Sequence, residues 1–261
     1  MPTAARSTSI DSRPGATGPG GPAAWERVLV KVSGEAFGSS GIDPGDLALL
    51  AGEITDAHAT GAQLAVVVGG GNFVRGAKFA RAAHIHQATA DYMGMLATVI
   101  NGLALKEALL HVGVESRVMS AIEIRAVAEP FIRGRALGHM EKGRVVILVA
   151  GTGNPFCTTD TCAALRATEL ECRLLMKATK VDGVYTADPH KDPGAKRYER
   201  LTFAEAMAQN LGVMDMTAIT MCREQNIPVL VFDYRAKGSI RRVIQGEAIG
   251  TLVSNGEGAR G

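Results

Sequence analysis

A run of β-branched residues that halts at three consecutive glycines leaves a chain few ways to continue. Here the halt falls in Val66-Val67-Val68-Gly69-Gly70-Gly71-Asn72-Phe73-Val74-Arg75-Gly76. The apolar run predicts a buried strand. Three glycines permit positive φ and keep side chains away from whatever approaches the backbone. Such a strand end, with its converging N–H groups, is how α/β proteins hold phosphate. The same stretch also fits a tight strand-to-helix turn with no ligand. Arg75 favours the anion reading, because a guanidinium four residues past Gly71 can grip phosphate in a bidentate manner.

Two further strands end in the same way. Val28 to Val32 stops at Ser33-Gly34-Glu35 and places Lys31 near its carboxyl end. A lysine there is costly unless it meets an anion, although a surface lysine at a strand end is the plainer alternative. Arg144 to Ala150 reads as a fully buried strand that stops at Gly151-Thr152-Gly153-Asn154-Pro155-Phe156-Cys157-Thr158-Thr159-Asp160. Thr158, Thr159 or Asp160 is the natural N-cap of the helix that follows; a well-capped turn without a ligand also fits. Between the first two strands, Asp43-Pro44 begins a helix whose apolar residues recur through Ile54, with Gly61 after its end. This β-α-β order puts both strand ends on one edge of a parallel sheet, the edge at which ligands bind.

Two familiar nucleotide fingerprints are excluded. Gly69-x-Gly71-x-x-Val74 lacks the third glycine of a dinucleotide-binding turn, and Gly-Lys, needed for a Walker-type loop, occurs nowhere. The 261 residues are 46% hydrophobic, enough for one sizeable core or two joined lobes. A net charge of +2 indicates neither a nucleic-acid nor a membrane partner. No apolar run is expected to reach the roughly 18 residues of a membrane span. Cys157, Cys162, Cys172 and Cys222 lack metal or disulfide spacing and read as buried thiols in a reducing cytosol, which implies a cytoplasmic protein. His84-Ile85-His86 has no third ligand nearby and reads as a solvated helix face or loop.

Elsewhere, Ala90 to His111 predicts a long helix whose apolar residues spread over more than one face, as in a subunit contact. Val114 to Met119 predicts a strand, and Glu129 to His139 an irregular or weakly helical stretch. Leu174 to Ala178 predicts a strand running into a turn at Asp182-Gly183. A charged loop over Asp188 to Arg200 follows, then two short helices near 203–209 and 216–224. A strand over Pro228 to Phe232 and an edge strand over Gly250 to Val253 complete the pattern. Residues 1–24, rich in Pro, Gly, Ser and Ala, are expected to form a disordered tail, and 25–261 one domain with two merging lobes.

The chain resembles the bacterial uridylate kinases of the amino acid kinase superfamily from Arg27 to Val253. The resemblance rests on five stretches in order: Lys31 to Glu35, Gly69 to Gly76, Asp91 to Thr98, Gly151 to Asp160 and Lys177 to Pro189. It implies a three-layer α-β-α sandwich with a mostly parallel central sheet, and phosphoryl transfer from ATP to UMP. Site roles follow from the resemblance alone. Lys31, Arg75 and Asp160 would be catalytic. Lys31, Val32, Ser33, Gly34, Gly71, Arg75, Thr179, Tyr185 and Asp188 would bind ATP. Gly70 and Asp91, with Thr152, Gly153, Asn154, Pro155, Phe156, Cys157, Thr158 and Thr159, would bind UMP. No residue would bind metal directly, Mg2+ arriving with ATP. A homohexamer and GTP or UTP effectors are implied as well. The loop Phe37 to Gly41 is shorter than in many relatives, which bears on GTP activation. Two alternatives are a family member acting on a carboxylate or carbamate, and a relative that binds nucleotide without catalysis.

Overall fold

The computed structural model describes residues 23–74, 84–187, 189, 191–192 and 194–256. Arg75, Asp188 and residues 1–22 of the expected tail lie outside them. The packed chain reaches back to Ala23, slightly before the expected boundary. Ala23 packs on the core, and the Ala24 N–H donates to Ile244 O at 2.9 Å.

Nine strands form one sheet: β1 (Arg27–Val32), β2 (Gln63–Val68), β3 (Ser116–Ser120), β4 (Glu129–Pro130), β5 (Val145–Val149), β6 (Leu174–Thr179), β7 (Arg200–Thr202), β8 (Val229–Asp233) and β9 (Thr251–Ser254). Their order is β4-β3-β5-β2-β1-β6-β8-β9-β7, and every pairing is parallel except β8 with β9. The central strands are apolar on both faces because helices cover both. Val28, Val30, Val32, Leu64, Val66 and Val68 face one core, beneath α1 (Pro44–His58), α2 (Gln87–His111) and α7 (Ser239–Ile244). Leu29, Ala65, Val67 and Leu175 face the other, beneath α3 (Arg133–Glu141), α4 (Thr159–Glu169), α5 (Phe203–Ala208) and α6 (Met216–Glu224). The three-layer sandwich is therefore as expected.

Helix starts follow local chemistry. Asp43 caps α1 by accepting from the Asp46 N–H at 2.9 Å, with Pro44 at the first helical position. Thr202 and Glu205 form a reciprocal capping box on α5.

Several expectations need correction. The stretch from Glu129 is ordered as the short strand β4 and then α3. Thr251–Ser254 is not an edge strand: β9 lies between β8 and β7, and β7 takes the edge. β7 and α7 are additional to the expected elements, since three and six residues are too short for periodicity to show. Cys157 is exposed, unlike Cys162, Cys172 and Cys222, whose burial pushes each thiol up to about 12. The 25 residues of α2 are long and apolar enough, by length and composition, to cross a membrane, contrary to the expectation. Asp91, Thr98 and Asn101 nevertheless bond from this helix to neighbouring loops, as suits a core helix.

Candidate active site

The carboxyl ends of β5, β2 and β1 lie side by side, and the loops leaving them enclose a cavity of about 350 Å3. Lys31, Ser33, Gly34, Gly70, Gly71 and Asp91 line it, and so do Thr152, Asn154, Cys157, Thr158 and Thr159 of the loop after β5.

The glycines serve close approach. Gly69 and Gly70 do not take positive φ, contrary to the first expectation. A Cβ at Gly70 would stand 2.5 Å from Gly94 O and 2.9 Å from the Ala97 Cβ, both on α2. A Cβ at Gly69 would stand 2.6 Å from the Gly34 nitrogen, and one at Gly34 would overlap the Gly71 nitrogen. The loops after β1 and β2 thus touch backbone to backbone, which only glycine allows.

Polar side chains on α2 hold this arrangement. Asn101, fully buried, donates to Gly69 O at 2.7 Å and exchanges amide bonds with Asn72 at 2.8 and 3.1 Å. Asn72 also donates to Gly41 O at 2.8 Å. Thr98 accepts from the Ala150 N–H at 2.7 Å, and Asp91 accepts from the Phe156 N–H at 2.9 Å. Ala150 (φ 61°) and Phe156 (φ 65°) are both left-handed, a costly conformation for a residue with a Cβ. Each is held by one of these acceptors. Asp91, Gly94, Thr98 and Asn101, spaced 3, 4 and 3 residues apart, form one inner face of α2.

The charged centre lies on the other face of the sheet. Lys31 on β1 and Lys177 on β6 are register partners, so their side chains rise together. Like charges in such positions repel. Asp160, in the first turn of α4, resolves the conflict. Its Oδ1 is 2.9 Å from Lys31 Nζ and its Oδ2 is 2.9 Å from Lys177 Nζ. Lys177 also donates to Val213 O at 2.6 Å. Lys31 is only 8% exposed. Burial pushes the Asp160 carboxyl up, but the two ammonium groups outweigh it and leave the group below its ordinary value. For Lys177, burial outweighs the attraction of Asp160 and lowers its affinity for a proton.

Of the other expected residues, Val32 points into the opposite core. Gly153 packs beside Ala121, and Pro155 and Phe156 do not line the cavity; Phe156 is 69% exposed. Thr179, the last residue of β6, and Tyr185 beyond that strand do not line the cavity. Thr179 bonds to Val181 O and Tyr185 to Asp182 Oδ1. Lys177, Asn101, Thr98 and Asp215 also belong to the site, with no role expected for them from the sequence. Lys177 carried the signal that exposed Lys31, a lysine in an otherwise apolar strand; the others carried none that local pattern could reveal.

Residues 26–233 match the model of the amino acid kinase family. The chain is similar in structure to the UMP kinase from Bacillus anthracis, with TM-score 0.86 and 38% identity over 88% of this chain and 96% of that one. It is similar also to the UMP kinase from Ureaplasma parvum, with TM-score 0.83 and 40% identity over 88% and 98%. For the uridylate kinase from Archaeoglobus fulgidus the values are 0.68 and 28%, over 87% and 99%. With its matched core, its parallel sheet and its lysine-aspartate-lysine centre, the chain belongs to the amino acid kinase family.

Proposed function

We propose that this protein is a UMP kinase, moving the γ-phosphoryl group of ATP to UMP to give ADP and UDP in pyrimidine nucleotide synthesis. The observation that carries the reading is the Asp160 bridge between Lys31 and Lys177, beside a cavity walled by glycine backbone. The two UMP kinases at 38% and 40% identity, aligned over nearly their full lengths, support UMP as acceptor.

The chemistry asks for such a centre. Two polyanions must meet in line, and two unit charges 4 Å apart repel by about 4 kcal/mol at an effective dielectric of 20. Catalysis is therefore positioning and charge cancellation. Lys31, aimed by Asp160, meets the transferring group. Lys177 adds a second positive charge on the same face. Backbone N–H groups at Gly70 and Gly71, which line the cavity, receive acceptor and donor phosphate respectively, with Ser33 and Gly34 alongside. Asp91 and the loop Thr152 to Thr159 hold UMP, while Thr179, Tyr185 and Asp188 take the ATP nucleoside side. Arg75 clamps phosphate where the substrates meet. A general base is not required, because the UMP phosphate is ionised near neutral pH.

Family membership implies Mg2+. Among the described residues no three His, Cys, Asp or Glu side chains converge as a metal site, and Asp160 is already committed to two ammonium groups. These residues fit a metal carried by the nucleotide's phosphates, where it offsets their charge. The reading includes a cytoplasmic homo-oligomer, six subunits by resemblance, with GTP and UTP as candidate effectors. A coupled assay with ATP and each nucleoside monophosphate tests it. UMP should be turned over far faster than CMP, because uracil O4 and N3–H reverse their hydrogen-bonding character in cytosine. Equal kcat/KM for the two would overturn the specificity, and no turnover of any monophosphate would overturn the activity.

A further inference from the structure

Asp215, the N-cap of α6, lies 55 positions beyond Asp160 in the sequence yet is bonded to the start of the same helix. Its Oδ1 accepts from the Ala218 N–H at 2.9 Å, as an ordinary cap does. Its Oδ2 does something else: it accepts from the Thr161 hydroxyl at 2.9 Å and from the Thr158 hydroxyl. Thr158 Oγ1 in turn accepts from the Asp160 N–H at 3.0 Å and the Thr161 N–H at 3.2 Å. A hydroxyl has one proton and two lone pairs. Those of Thr158 are fully used, the proton on Asp215 and the lone pairs on the α4 backbone. Two residues before Asp215, Val213 O holds the Lys177 ammonium. One turn of chain, 213–215, therefore grips both Lys177 and, through Thr158, the backbone of Asp160.

We propose that Asp215 is a positioning residue for phosphoryl transfer: it sets the placement of Asp160 against Lys177, and so of Lys31, while touching neither substrate. The inference rests on the kinase reading above. It also assigns Thr158 a structural use for its hydroxyl, leaving only its backbone and methyl group for the acceptor.

An Asp215→Asn substitution tests this without changing shape. In either orientation the amide presents N–H to a donor, Ala218 N–H on one side or the two hydroxyls on the other. The Thr158 hydroxyl cannot turn to accept, because its lone pairs are occupied. Asp215→Asn should lower kcat on the order of 10-fold, with KM for ATP and UMP changed much less, as expected when a charged centre is displaced by a fraction of an ångström. Thr158→Val should do the same, and the double variant should be no slower than the slower single one, since both break one chain of bonds. Thr158→Ser should recover most of the rate that Thr158→Val loses. Wild-type kcat in folded Asp215→Asn, or multiplicative losses in the double variant, would overturn the proposal. If Asp215→Asn does not fold, the Thr158 pair decides: equal rates for Val and Ser overturn it, and rescue by Ser supports it. If the wild-type chain does not turn over UMP, the kinase reading fails separately. Hydrogen exchange at the amides of residues 160 and 161 then carries the test: faster exchange in Asp215→Asn supports the link, and unchanged exchange overturns it.

Discussion

Lys31 illustrates how one buried charge is tolerated. A lysine 8% exposed beside a register-matched second lysine is unfavourable until a carboxylate joins both, and Asp160 offers one oxygen to each. Lys31→Ala should fold, because it removes a charge rather than stranding one, and should lower kcat on the order of 100-fold. Its effect on KM for UMP should be smaller, since the contact strengthens as charge moves toward the leaving oxygen. Lys31→Arg should not restore the rate, because a planar fork cannot replace a compact point charge between two packed loops. Steady-state kinetics on all three proteins check this, and a Lys31→Ala enzyme retaining half its kcat would remove Lys31 from the mechanism. The glycines make a complementary case. Gly70→Ala puts a Cβ 2.5 Å from Gly94 O and 2.9 Å from the Ala97 Cβ, with helix backbone on one side and no room to yield. A destabilisation of about 1–3 kcal/mol is expected, read as a lower Tm.

Among the elements, α2 carries the most. Its inner face ties the loops after β2 and β5 through Asn101, Thr98 and Asp91, while Tyr92, Leu96 (48% exposed) and Ile100 (49%) stand on its outer face at a spacing of four. Apolar side chains in such a row suit burial against a second copy. Light scattering should report an oligomer at micromolar concentration, and Leu96→Glu with Ile100→Glu should dissociate it; a monomeric wild-type protein would refute this. The first turn of α4 has its own signature in acid. Asp160 titrates below its ordinary value, so the stability it contributes is present above the unfolded carboxyl value of about 3.9 and is lost as pH falls through the lower folded one. Tm curves for wild type and Asp160→Asn should therefore differ at neutral pH and converge in strong acid. A gap that persists unchanged in strong acid would contradict the ion-pair account.

For the molecule as a whole, function follows from where the sheet changes direction. From β2 the chain runs to β3 and the edge strand β4, returns as β5 between β3 and β2, and then crosses β2 and β1 to continue through β6 and β8. Loops from both halves meet at the carboxyl ends beside β1, as ligand sites in open parallel sheets do. The loop after β5, proposed for the acceptor, comes from one half and Lys177 from the other, with Lys31 between them. Two substrates of like charge can thus be held by separate loops around one charged centre.

Much of this was legible along the chain because the relevant forces are local. Continuous apolar strands, a proline behind a capping aspartate and glycines at strand ends each depend on a few neighbouring residues. Lys31, Gly70, Asp91 and the Thr152–Thr159 loop could accordingly be named from pattern and resemblance. What needed tertiary structure was every relation across the sheet. That Lys177 stands beside Lys31 depends on strand register, and that Asp215 holds Thr158 depends on α4 and α6 packing side by side. That Gly69 meets the loop after β1 and Gly70 meets α2, neither at positive φ, depends on how closely those two elements approach. The exposure of Cys157 and the interior place of β9 are of the same kind. Propensity and periodicity act over one or two turns, whereas these contacts join residues tens of positions apart, and only the packed fold decides which of them meet.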